Sequence, residues 1–171
     1  MLFRSVLFVD LHTGLGSASQ LHMMPGEELT ADQRELLTSL LDVSEDHGQY
    51  DLATGGDKGF YPTPGDMVSY LTTLLRPDQK SLALTAEFGT IGSGLLNQIK
   101  TLNRLVLENQ GFHHGYESEA LRVGVDRDFR ELFLPTDPQW RRSVLTKSRY
   151  VFTKIFKRLD SGTRAGSVRA P

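Results

Sequence analysis

Apolar residues gather in short runs that predict strands of a sheet. The first run covers residues 5–11; it is apolar, β-branched and aromatic, and a glycine-rich segment follows it. The second covers residues 81–88, and a shorter one lies at 50–53. Runs of this length and composition, bounded by turn residues, are typical of buried strands.

Helical spacing of apolar residues predicts most of the remaining chain. A Thr-x-x-Gln capping box precedes a helix expected over 31–43, and another helix is expected to end near Leu75. Apolar residues recur at helical intervals between Leu95 and Val106. A last amphipathic helix begins near Pro138. Its apolar stripe, which we expect to be core, consists of Trp140, Val144, Val151, Ile155 and Leu159.

Two segments read as loops. Residues 13–29 are rich in Gly, Ser and Met and contain a Pro25-Gly26 turn. Residues 55–65 form a longer stretch rich in Gly and Pro, and loops of this length without secondary structure are often functional.

The order strand, helix, strand, helix, strand and then helices predicts the α/β class. Two or three strands make a thin sheet whose open edge needs a partner, so the pattern looks like part of a larger sheet. We expect one domain over residues 1–160 and a disordered tail over 161–171, because that end is rich in Gly, Ser, Arg and Ala.

The composition excludes several functional classes. A chain of 171 residues is long enough for one domain with a core. The absence of cysteine excludes disulfides, a thiolate nucleophile and cysteine-ligated zinc, so a metal would need His, Asp or Glu; it also fits a cytoplasmic protein. No apolar run approaches the roughly 20 residues that span a bilayer, and no signal peptide is evident, so we expect no membrane association.

Charge is unevenly distributed. Residues 1–60 carry 3 basic and 10 acidic side chains, whereas residues 119–171 carry 12 basic and 6 acidic ones. Such asymmetry can mark a nucleic-acid surface. We expect instead a basic helical surface that faces an acidic neighbour, and no nucleic-acid partner, because a known binding motif is missing. The oligomeric state is left open.

Candidate chemistry lies at the ends of the two main predicted strands. Asp10 and His12 are two residues apart on one strand and therefore share a face. Glu87 ends the other strand, and because an unpaired buried carboxylate is costly, we expect it to face a cleft, an ion or an arginine. A structural histidine and a structural salt bridge remain the alternatives. Tyr61, in the second loop, is a candidate to close over a substrate, the alternative being a packed loop tyrosine.

Three motifs resemble one known family. They are Asp-Leu-His-Thr-Gly-Leu-Gly at 10–16, Ala-Glu-Phe-Gly-Thr at 86–90 and Phe-Leu-Pro-Thr-Asp-Pro-Gln-Trp at 133–140. Together they resemble the zinc carboxypeptidase-like superfamily, in particular its bacterial branch of uncharacterised domains related to succinylglutamate desuccinylase and aspartoacylase. The resemblance covers most of residues 6–158.

The resemblance implies a zinc-dependent hydrolase acting on a peptide or an N-acyl amino acid. In that family an early His-x-x-Glu gives two zinc ligands, a later His the third, and a Glu the general base. His12 matches the third ligand, Glu87 the base, and Tyr61 the mobile tyrosine. The implied fold is a partial three-layer α/β/α sandwich with a mixed, mostly parallel sheet.

No His-x-x-Glu precedes His12; the one at 114–117 follows Glu87 and is expected to be a chance match beside a helical surface, and His22 and His47 are expected to be exposed loop or helix-end residues. The chain therefore resembles the C-terminal half of such an enzyme, lacking two ligands for its one zinc ion and expected to be inactive as this fragment. The alternative is a non-catalytic binding module or a degenerate relative without the metal site.

Overall fold

The computed structural model describes residues 5–26, 29–42, 45–46, 48–53, 65–74, 80–92 and 94–167. The strands are β1 (Ser5–Gly14), β2 (Leu21–Pro25), β3 (Asp51–Leu52) and β4 (Lys80–Gly89). The helices are α1 (Ala31–Leu40), α2 (Met67–Leu74), α3 (Leu95–His114), α4 (Glu119–Arg130) and α5 (Pro138–Ser167).

The strands form one mixed sheet in the order β1-β4-β2-β3. The pairs β1–β4 and β2–β3 are parallel, whereas β2 runs antiparallel to β4. The predicted α/β class is confirmed, and so are the three predicted strands. The loop prediction for 13–29 is wrong, because β2 lies within it. Leu21 and Met23 alternate along β2 and are buried, which is the pattern of a strand, and Pro25 ends it.

The core lies on one face of the sheet. Alternate residues of β4 point to the same side, so they enter a single cluster with side chains from α1 and α5. On β4 these residues are Leu82, Leu84, Ala86 and Phe88. Trp140, Val151 and Ile155 of α5 are buried in the cluster, so the predicted apolar stripe of this helix is confirmed as core.

The ends of the helices agree in part with those predicted from the sequence. The capping box is present: Thr30 Oγ1 accepts a hydrogen bond from the backbone N–H of Gln33, and Gln33 Oε1 accepts one from that of Thr30. Helix α5 continues to Ser167, which differs from the disordered tail predicted from Ser161; residues 168–171 lie outside the described ranges. In the parts of the chain that are described, no helix is both long and apolar enough to cross a membrane.

A buried ionic cluster joins α5 to the segment after α1. Asp46 is 2% exposed, and it accepts hydrogen bonds from the hydroxyls of Tyr50 (2.8 Å) and Tyr150 (2.5 Å) and from the ammonium of Lys154. Beside it, Glu45 pairs with Arg158 at 3.1 Å. The predicted basic helical surface facing an acidic neighbour is therefore confirmed at this contact.

The surroundings of Asp46 act on its pKa in opposite directions. Burial raises the pKa, but the hydrogen bonds from Lys154, Tyr150 and Tyr50 outweigh burial and hold it below the ordinary value of an aspartate. A lowered pKa in the folded state means that the ionised carboxylate stabilises the fold.

We expect Asp46→Asn to lower the free energy of unfolding at pH 7 by about 3 kcal/mol, because it leaves Lys154 without its buried partner. The contribution of Asp46 is present above its unfolded pKa, near 3.9, and is lost as the pH falls through its lower folded pKa. Urea unfolding between pH 7 and pH 3 should therefore show the gap between wild type and variant closing on the acid side. Asp128→Asn, which alters a surface pair with Arg127, is the control. A gap that widens as the pH falls would contradict the assignment.

Candidate active site

The parallel pairing of β1 with β4 brings the predicted site residues together. The two strands end side by side at Gly14 and Gly89, and His12 is the register partner of Glu87. Asp10 and His12 lie on the same face as Glu87, opposite to the core face. The expectation that His12 and Glu87 meet at the carboxyl ends of neighbouring strands is confirmed.

The ring of His12 lies between the carboxylates of Asp10 and Glu87. Its Nε2 lies 2.8 Å from Asp10 Oδ2, and its Nδ1 lies 3.8 Å from Glu87 Oε2. An ionised carboxylate only accepts hydrogen bonds, so the Nε2 proton points to Asp10. The lone pair of the neutral ring is then on Nδ1, on the side of Glu87. Half of the His12 side chain is exposed, whereas the Glu87 side chain that its Nδ1 faces is buried.

Glu87 is a buried carboxylate with a defined partner. The residue is 4% exposed, and its Oε1 accepts a hydrogen bond of 2.9 Å from the backbone N–H of Leu15. Burial raises the pKa of Glu87, and the negative charge of Asp10 raises it further. The hydrogen bond from the Leu15 N–H, and the positive charge of His12 when its ring is protonated, lower it, but burial is the largest effect. A carboxylate with a raised pKa is a better proton acceptor near neutral pH than an exposed one.

His22 extends the row of polar residues across the sheet. It is the β2 partner of Glu87 in the antiparallel pair, and it is 6% exposed. Its Nε2 accepts a hydrogen bond from the backbone N–H of Ser17 at 3.3 Å, and its Nδ1 lies 3.8 Å from Asp51 Oδ2. Burial lowers the pKa of His22, although the negative charge of Asp51 acts to raise it. The lowered pKa favours the neutral ring. The prediction that His22 is exposed is wrong; the apolar alternation around it was the signal that it lies in a strand.

The loop between β1 and β2 packs directly on the end of β4. Gly89 donates its N–H to Gln20 O, and its carbonyl accepts hydrogen bonds from the Ser19 N–H and from Trp140 Nε1. A Cβ at Gly89 would lie 1.9 Å from Ser17 O, a distance that no side chain can adopt. A glycine is therefore required there, and it allows the loop to approach closely enough for Leu15 and Ser17 to reach Glu87 and His22.

The segment after α4 fixes the end of β1. Thr13 Oγ1 donates a hydrogen bond to Phe133 O at 2.6 Å. Thr90 Oγ1 lies 2.7 Å from Leu132 O and 3.0 Å from Gly14 O. These bonds tie the ends of β1 and β4 to one turn, so the strand ends that carry His12 and Glu87 are held in place.

Other candidate residues lie elsewhere. Tyr61 and His47 are outside the described residues, so their predicted places stay predictions. His114 ends α3 with an exposed side chain, and Glu117 beyond it is also exposed. Between them, Tyr116 donates its hydroxyl to a glutamate of the same helix. The His-x-x-Glu sequence at 114–117 thus forms part of a helix end at the surface.

The described residues fit one part of a zinc site. His12 Nδ1 is a suitable ligand atom, oriented by Asp10 as ligating histidines commonly are. The carboxylate of Glu87 lies 3.8 Å from Nδ1 of the same ring. Catalytic zinc ordinarily has three protein ligands, and no group of three His, Asp or Glu suited to a metal occurs within the described part of the chain. The remaining ligands would have to come from other residues.

Comparison with known proteins gives one match. A family described as "Protein of unknown function (DUF2817)" matches residues 2–147. The match includes the segments that carry Asp10, His12 and Glu87, and the start of α5. No curated protein and no solved structure matches the chain.

We expect Gly89→Ala to destabilise the fold by more than about 3 kcal/mol, because the added Cβ would meet the backbone of Ser17 and displace residues 15–20. Thermal and urea unfolding measure the loss. Gly124→Ala is the matched control: nothing lies within 4 Å of its Cβ, and alanine in helix α4 should leave stability unchanged or raise it by up to about 1 kcal/mol. Equal stabilities of the two variants would show that the loop does not pack on Gly89.

Proposed function

The chain belongs to the DUF2817 family, and we propose that it is the C-terminal half of a zinc-dependent hydrolase that cleaves a peptide bond or the amide bond of an N-acyl amino acid. One observation carries the proposal: the buried carboxylate of Glu87 lies 3.8 Å from Nδ1 of the half-exposed His12 at the carboxyl ends of two parallel strands. Open α/β sheets place their ligand sites at this edge. The proposed architecture is the corresponding part of a three-layer α/β/α sandwich of the zinc carboxypeptidase-like type.

His12 is the residue of this chain that would hold the metal, through Nδ1. Asp10 holds the Nε2 proton and keeps the ring in one tautomer and one orientation. Asp10 is therefore a positioning residue. The other two ligands of the proposed site come from residues outside the described part of the chain or from a further segment of the protein.

Glu87 is proposed as the general base. Its Oε1 is held by the Leu15 N–H, which leaves Oε2, on the side of His12, to take a proton from the attacking water. Glu87 then passes this proton to the leaving amine as the amide bond breaks. Zinc, when bound, would polarise the substrate carbonyl and lower the pKa of water to about 7. The raised pKa of Glu87 suits both proton transfers.

The substrate class rests on the family resemblance, and the mobile tyrosine proposed from it is Tyr61.

A second candidate function, a non-catalytic binding module, is favoured by a different observation. Strand β1 is at the end of the strand order, and its Leu11 is 65% exposed. A sheet edge of this kind can bind an extended segment of a partner by strand addition.

We expect Glu87→Gln to lower turnover by about 10²- to 10⁴-fold in the longest natural form of the protein, because glutamine keeps an acceptor for the Leu15 N–H but cannot take a proton. Zinc content should remain nearly unchanged. Turnover is measured as the release of amine when the C-terminal bond of a peptide or the amide bond of an N-acyl amino acid is cleaved. Zinc content is measured by atomic absorption.

Glu119→Gln is the control, since Glu119 lies on the surface of α4 in a pair with Arg122. It should leave turnover intact. Unchanged turnover in Glu87→Gln would remove Glu87 from the mechanism. Absence of turnover on both substrate classes in a zinc-loaded wild-type protein would favour the binding module.

We expect the 171-residue chain alone to retain less than one zinc ion per molecule after dialysis, because the described residues offer His12 without two further ligands. A longer form that includes an upstream His-x-x-Glu should retain one ion. In that form, Asp10→Asn should weaken zinc binding by about 10- to 100-fold through loss of ring orientation. Tight stoichiometric zinc on the 171-residue chain would contradict the half-site proposal.

A further inference from the structure

Two backbone N–H groups of the loop after β1 are bonded to neighbouring side chains of the sheet. The Leu15 N–H donates to Glu87 Oε1 at 2.9 Å, and the Ser17 N–H donates to His22 Nε2 at 3.3 Å. Glu87 on β4 and His22 on β2 are register partners, so the two acceptors lie side by side across the sheet. The buried Gly16, whose φ is +90°, lies between the two donors. This short segment is therefore bonded to the sheet at both of its ends.

The end of the loop that leads into β2 is held by other contacts. The Ser19 N–H donates to Gly89 O, and the Gly89 N–H donates to Gln20 O. Lys147 of α5 donates its ammonium to Gln20 Oε1 at 2.7 Å. Within the loop, the Gln20 N–H donates to Ser17 O at 3.0 Å. The carbonyl of Ser17 thus faces the held end of the loop, whereas its N–H, which belongs to the preceding peptide unit, faces the sheet.

The hydrogen bond from Ser17 requires one particular form of the His22 ring. A ring nitrogen accepts a hydrogen bond only when it carries no proton, so Nε2 has the lone pair and Nδ1 has the single proton of the neutral ring. Nδ1 lies 3.8 Å from Asp51 Oδ2, so this proton is on the side of a carboxylate. Asp51 of β3 and Lys147 of α5 both act on the charge of the ring, and Glu87 is its register partner on β4.

We propose that His22 is a positioning residue for Glu87. Its unprotonated Nε2 holds the Ser17 N–H, and this bond keeps the Leu15 N–H on Glu87 Oε1. With Oε1 occupied, the carboxylate is fixed with Oε2 on the side of His12. The inference rests on the proposed function, because it gives His22 a part in preparing the proposed base. It adds a residue of β2 to a site that otherwise consists of residues from β1 and β4.

Hydrogen exchange of the Leu15 amide tests the proposal without substrate or metal. In His22→Leu at pH 7 this amide should exchange about 10-fold faster than in the wild type, because its bond to Glu87 opens more often. In His22→Gln the side-chain oxygen can accept the Ser17 N–H in place of Nε2. The Leu15 amide of that variant should therefore stay within about 3-fold of the wild-type rate.

The amides of β4 report the stability of the whole sheet, and they should exchange at the wild-type rate in both variants. His114→Leu is the matched control, since His114 is exposed at the end of α3, and it should leave the Leu15 amide unchanged. Unchanged Leu15 exchange in His22→Leu would overturn the proposal, and so would equal acceleration in His22→Gln. A loss of protection that Leu15 shares equally with β4 would also overturn it, because His22 would then stabilise the sheet in general.

The ring itself provides a second test, made on the wild-type chain and independent of any variant. Nitrogen-15 NMR of histidine rings distinguishes the two neutral tautomers from each other and from the imidazolium. At pH 7, Nδ1 of His22 should carry the proton and Nε2 should be unprotonated. A proton on Nε2 would exclude the bond from Ser17 and overturn the proposal.

Turnover shows whether this positioning serves the proposed reaction. In the longest natural form of the protein, His22→Leu should lower kcat by about 10- to 100-fold with KM nearly unchanged, because the base is displaced while the substrate contacts remain. His22→Gln should restore most of kcat. A raised KM with unchanged kcat in His22→Leu would contradict the assigned role.

Failure of this inference and failure of the proposed function give different results. If the wild type shows no turnover but Leu15 exchange responds to His22→Leu as expected, the hydrolase proposal fails and His22 still positions Glu87. If turnover is present but Leu15 exchange does not respond, the role of His22 is wrong and the proposed function stands.

Discussion

The register between β1 and β4 is the constraint on which the candidate site depends. It pairs His12 with Glu87, and because side chains alternate between the faces of a strand, a slip of one residue would turn one of the two towards the core. The same register sets Leu7 and Val9 beside Leu82 and Leu84 on the core face. Burial of these apolar side chains therefore fixes the position of the polar ones.

Burial of the Glu87 carboxylate is the energetically unfavourable part of this arrangement. A buried carboxylate is tolerated only with hydrogen-bond partners, and here the partner is a backbone N–H from the loop after β1. That loop reaches Glu87 because Gly89 has no side chain and because Trp140, from far along the chain, binds the carbonyl of Gly89. The local chemistry at the strand end thus relies on α5, which is anchored in turn by the Asp46 cluster.

The two long helices near the C-terminus differ in how they are covered. Helix α5 buries its apolar stripe against the sheet and completes its polar contacts with Asp46 and Glu45. Helix α3 packs beside α4 and leaves its apolar stripe in solvent. Patches of this kind on a folded protein commonly mark interaction sites.

The sequence by itself determined the α/β class, the strands β1, β3 and β4, the helices α1, α2, α3 and α5, and the presence of a histidine and a glutamate at two strand ends; the pairing of those two strands was decided by the tertiary structure. The predicted elements follow from local periodicity, since apolar runs and capping residues act over neighbouring positions. Three further features were decided by tertiary structure. Strand β2 and the burial of His22 depend on pairing with β4, which is far away along the chain. The requirement for glycine at Gly89 depends on the approach of Ser17. The outward face of α3 has the same helical spacing as the buried stripe of α5, because periodicity shows that a helix has an apolar face but only packing decides what that face meets.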